Sequence, residues 1–60
     1  MRYFAITHPF NPGVRLYCTC PTVEIAIRAF GLLSTVLEIT QHEYEMCQDT
    51  DPKACGEYTE

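Results

Sequence analysis

Along residues 2–8, RYFAITH, apolar positions alternate, with Phe4 and Ile6 on one side of an extended chain and Tyr3, Ala5 and Thr7 on the other. Aromatic and β-branched residues dominate this run, as a half-buried pleated surface favours, and it predicts a first strand. The segment HPFNPG then reads as a loop. Within it Asn11-Pro12-Gly13 suits a type II turn, because Pro12 presets φ and Gly13 accepts a positive φ. Alternation resumes in VRLYCTC, residues 14–20, with Val14, Leu16, Cys18 and Cys20 on one face and Arg15, Tyr17 and Thr19 on the other. The two strands make a β-hairpin.

At Pro21 the period changes. Thr22 can cap a helix by accepting from an N–H of the first turn, and Glu24 places a negative charge at the positive end of the helix dipole. Val23, Ala26, Ile27, Phe30 and Leu33 follow helical spacing, and Ile25, Ala29 and Leu32 widen the apolar stripe. Gly31 costs about 1 kcal/mol relative to Ala in a helix interior. The helix is expected to end near Ser34. Residues 35–46, TVLEITQHEYEM, read as a third strand, with Leu37 and Ile39 toward the helix and Val36, Glu38, Thr40 and His42 opposite. Residues 47–60 hold turn chemistry without periodicity. They form an acidic C-terminal segment, loosely ordered or pinned by Cys47 and Cys55.

Residues 1–46 therefore compose a small ββαβ domain of the α+β class. A right-handed crossover from strand 2 sets strand 1 in the centre, giving a three-stranded antiparallel sheet of order 2-1-3 with one helix packed on one face. The other face, bearing Tyr3, Ala5, Tyr17, Val36 and Tyr44, is expected to lie open to solvent or a partner. A chain of 60 residues has a thin core, so help from a disulfide, a metal or a partner chain is plausible.

Candidate chemistry is sparse. Cys18 and Cys20 point the same way on a strand but sit about 6.7 Å apart, an awkward spacing for two ligands of one zinc. Buried free thiols on the strand with exposed thiols at Cys47 and Cys55 are favoured over a tetrathiolate site or a disulfide. His8 and His42 have no partner at diagnostic spacing. Phosphate-binding, dinucleotide, zinc-protease and nucleophile-elbow motifs are all missing from the sequence, so neither enzymatic activity nor a cofactor or metal is expected. The apolar runs are too short for a signal core or a membrane span, which leads to a cytoplasmic, thiol-reducing setting without membrane partners.

Charge placement changes the picture more. Residues 1–30 hold three arginines against Glu24, a net of +2, whereas residues 31–60 hold Lys53 against seven acids, a net of −6. Direct nucleic-acid binding needs the opposite footprint. Glu43 and Glu45, two apart on a strand, would project together about 6.7 Å apart, near the repeat of backbone phosphates. Glu38, Glu43, Glu45, Asp49 and Asp51 could thus enter a basic groove built for DNA or RNA, with Tyr44 as a desolvated aromatic contact. The plainer alternative is that these charges guard the free edge of strand 3.

A tiny acidic ββαβ plan over residues 2–46, together with the acidic segment HEYEMCQDTD, resembles the small inhibitors encoded by bacteriophages, anti-CRISPR proteins above all. The resemblance is to a class without a signature motif. It implies a protein of the host cytoplasm whose acidic surface blocks the nucleic-acid-binding surface of a CRISPR effector complex; a monomer is expected rather than a homodimer. Two other readings remain open: a small cysteine-bound metal or redox module, and a structural subunit that dimerises.

Overall fold

The computed structural model describes residues 1–58. Its elements are β1 (Arg2–His8), β2 (Asn11–Cys20), α1 (Val23–Phe30), β3 (Thr35–Ile39), α2 (Gln41–Thr50), a 3-10 turn (Pro52–Ala54) and β4 (Cys55–Glu57). The four strands form one mixed sheet in the order β3-β1-β2-β4. β1 is antiparallel to both β2 and β3, as the crossover argument requires, and β4 adds a short parallel strand beside β2.

The hairpin turns earlier than the Asn11-Pro12-Gly13 signal suggests. β2 begins at Asn11, opposite His8, so the reversal falls at Pro9–Phe10 and the register shifts between Thr7 and His8. His8 holds this tip: its Nδ1 accepts from the Phe10 N–H at 3.3 Å, and the two rings lie 5.3 Å apart.

Phe4, Ile6, Cys18 and Cys20 face one way, as their alternation predicts, and Ile25 and Ala26 of α1 close over them. Val23, Phe30 and Val36 fill the margin of this core. Fully burying a side chain such as Phe4 contributes roughly 1.5–3 kcal/mol. The Arg2 guanidinium lies 5.4 Å over the Phe4 ring and screens that end of the core from water.

α1 stops at Phe30, four residues short of Ser34. Gly31 caps it at φ 92°, a conformation that turns the chain out of the helix and that side chains rarely adopt. Leu33, expected on the apolar stripe, is consequently exposed, and Ile25 takes the core position instead.

The larger departure lies in residues 35–46, which are not one strand. β3 ends at Ile39, and Thr40 caps a second helix. Its Oγ1 accepts from the Glu43 N–H at 3.1 Å and lies 3.2 Å from the Glu43 carboxylate, to which it donates. This is the Thr-x-x-Glu side of a capping box, and it decides the switch from strand to helix. The β3 register also inverts the expected facing. Val36 and Glu38 pair with Ile6 and Phe4 and share the α1 side, while Leu37 and Ile39 lie on the other side with Ala5 and Tyr3.

α2 packs on that second side, so the face expected to be open is partly covered. The Tyr44 ring lies 5.2 Å from Tyr3, and the Tyr44 hydroxyl donates to the Gly56 carbonyl at 3.3 Å. Beyond α2, β4 docks through the Tyr58 N–H to the Thr19 carbonyl, and the Tyr58 ring meets Phe30 edge-on at 5.1 Å. The result is three layers, α1 and α2 on opposite faces of one sheet. No helix among the described residues is long and apolar enough to cross a membrane.

Candidate docking surface

Two of the six expected contact residues leave the set. Glu38 sits on the α1 side of the sheet, where both its oxygens accept from Arg2, at 2.9 and 2.7 Å. The Arg2 guanidinium holds the Glu38 carboxyl below its ordinary value, and this is the one ion pair among the described residues. Tyr44, expected as an exposed aromatic contact, is 6% exposed and spends its ring and hydroxyl inside the fold. Burial pushes its hydroxyl above the usual range.

The other four all lie on or at the end of α2, but not on one face. Glu43, Glu45 and Asp49 are exposed on α2, and Asp51 caps its C-terminal end. On a helix, positions two apart diverge by about 200°, so Glu43 and Glu45 do not form the carboxylate row that a strand would give. Glu45 and Asp49, four apart, instead share an outward strip. Gln41 steadies that strip, its Nε2 donating to Glu45 Oε1 at 3.2 Å. β4 brings in a carboxylate from outside the six expected contact residues, since Glu57 pairs with Thr19 on the α2 side of the sheet.

These charges run against the helix. The negative pole of the α2 dipole lies at its C-terminal end, where cations are favoured, yet the last turn carries no basic residue and Asp49 and Asp51 stand there. At a surface the Asp49 placement costs about 0.3–1 kcal/mol, whereas Asp51 also stands at the N-cap of the Pro52–Ala54 turn, a position that favours Asp.

Beside the acidic strip the sheet floor is open. A shallow depression of about 420 Å³ is lined by Arg15, Tyr17, Met46, Cys47, Thr50 and Asp51. Arg15 is a cation within an otherwise acidic side. The Tyr17 hydroxyl is held protonated above its ordinary range, first by its interaction with the Cys47 thiol and then by desolvation. Cys47 and Cys55 are half-buried and unpaired, and burial raises the Cys55 thiol.

Cys18 and Cys20 are fully buried free thiols on the α1 side. Burial, and then the neighbouring Cys20, push the Cys18 thiol up to about 12. A thiol that holds its proton so firmly is a poor nucleophile and a poor metal ligand at neutral pH. The Cys20 thiol donates to the Thr22 carbonyl at 3.1 Å, which ties the strand end to the start of α1. Among the described residues no group of three or more His, Cys, Asp or Glu side chains is placed to hold a metal ion.

Comparison of the chain with known protein families, with curated proteins and with solved structures finds no match. The case for function therefore rests on this surface alone.

Proposed function

We propose that the chain is a non-enzymatic inhibitor that sets the acidic outer side of α2 against the basic nucleic-acid-binding surface of a larger protein, a CRISPR effector complex being the leading target. The observation that supports this reading is the placement of Asp49 in the last turn of α2, where no cation stands beside it. Stability alone disfavours that arrangement. A basic surface approaching the helix end would reverse the sign of the interaction. Glu45 extends the contact along the outward strip, Glu43 lies on its flank and Glu57 on the neighbouring strand. Exposed charges of this kind steer encounter and fix orientation, and they make binding sensitive to salt.

Phage plaquing on bacteria immunised by type I or type II CRISPR systems tests the proposal. Expression of the chain should restore plaquing in one of the immune strains, and Glu45→Lys with Asp49→Lys should abolish the restoration without changing the circular dichroism spectrum. Failure in every strain, or restoration indifferent to the charge reversal, contradicts it.

A further inference from the structure

The free edge made by β3 has a preference of its own. β3 (Thr35–Ile39) ends the sheet beside β1, and its register with β1 runs unbroken from Tyr3–Ile39 to Thr7–Thr35. Alternate residues on the outer side of such a strand direct unpaired N–H and C=O groups away from the sheet. All five residues are at least partly exposed, and Leu37 is 66% exposed.

Edges are ordinarily guarded by charges, prolines or bulges. Here Glu43 and Glu45, which would have guarded a longer strand, have gone to α2 instead. Glu38, the only charged residue of β3, is already neutralised by Arg2 of the same chain through two hydrogen bonds. The edge is thus straight, short, apolar at its centre and without net charge.

The geometry points to a second copy of this chain as its occupant, with the two β3 strands paired antiparallel about a two-fold axis through Leu37. That axis passes through the middle of the strand, so this register uses all five strand residues. Leu37 meets Leu37 of the second copy, Val36 meets Glu38, and Thr35 meets Ile39. No like charges face one another, and the most exposed apolar side chain of the strand is covered at the centre. The pairing is isologous, so it closes as a dimer rather than propagating. With the axis perpendicular to the sheet, the dimer has one eight-stranded sheet and both α2 helices on the same side. This pairing departs from the monomer expected from sequence. The inference does not depend on the inhibitor reading.

Light scattering on the full chain under reducing conditions tests the pairing. The expected mass is twice the 6.9 kDa chain mass. Leu37→Lys places like charges at the axis and should return the single-chain mass with an unchanged circular dichroism spectrum. The register is read separately by cysteine cross-linking, with Cys47→Ser and Cys55→Ser as background. Directly opposed Cα atoms in an antiparallel pair lie about 4.5–5.5 Å apart, within disulfide reach. Oxidation should therefore link Leu37→Cys chains into dimers and leave Thr35→Cys chains, whose counterpart is Ile39, unlinked. A single-chain mass for the wild type at every concentration overturns the proposal. So does a dimer that survives Leu37→Lys, or cross-linking at Thr35 equal to that at Leu37.

Discussion

Replacing Tyr44 by Ala tests how α2 is held, and hence how its acidic side is presented. Tyr44 is the only fully buried residue of α2, with Cys47 half-buried beside it. The substitution removes a ring packed 5.2 Å from Tyr3 and a hydroxyl 3.3 Å from the Gly56 carbonyl. Losing a buried aromatic side chain costs about 3–5 kcal/mol. The hydroxyl contributes about 0.5–1.5 kcal/mol, which Tyr44→Phe isolates. A core of this size supplies only about 3–5 kcal/mol in total, so Tyr44→Ala cancels most of the margin. A helix of ten residues does not hold by itself in water. α2 holds ten of the eighteen residues in the two α-helices, so the helical circular dichroism signal should fall by about half or more, the excess reporting unfolding of the whole chain, while Tyr44→Phe keeps it. Hydrogen exchange should show the α2 amides unprotected in Tyr44→Ala. Wild-type helicity with protected α2 amides in that variant would refute the view that Tyr44 anchors the helix.

Three further outcomes are expected. Thr40→Ala removes the α2 cap and should lower stability by about 1 kcal/mol in a denaturant titration; an unchanged midpoint would deny the capping box its role. Gly31→Ala forces a side chain into the backbone conformation at φ 92°, which should cost about 1–3 kcal/mol in the same titration even though the space around Gly31 is open. Cys18 should make the fold sensitive to alkali. Its folded-state value of about 12 lies above the ordinary 9.0, so its contribution is whole below pH 9 and is lost as pH rises toward 12, where the unfolded chain has given up a proton that the fold retains. Thermal melts across that window should fall less steeply for Cys18→Ala than for the wild type.

Much of the fold was legible because its period-two segments are clean. Phe4 with Ile6, and Cys18 with Cys20, share the core side that alternation assigns them, and the order of the first three strands follows from the crossover rule. The second helix was obscured because Glu43, Tyr44 and Glu45 alternate polar and aromatic as a strand would, and its one strongly buried side chain leaves little apolar stripe to detect. The signal was nevertheless present in Thr40-x-x-Glu43. β4 could not be read from sequence, since three residues containing Gly56 carry no periodicity and are fixed by pairing with β2. The acidic residues at 43, 45, 49 and 51 were visible as charges, but their arrangement was not. Which of them share a face depends entirely on strand versus helix; the same change of element took Tyr44 from the surface, while the β3 register turned Glu38 to the α1 side.

The most direct measurement of the central proposal is equilibrium DNA binding by a CRISPR effector complex titrated with this protein at increasing salt. The proposal predicts competition with DNA that weakens as salt rises, and its loss on Glu45→Lys with Asp49→Lys. DNA binding left intact at saturating protein, or competition unchanged by salt and by the reversal, would contradict it.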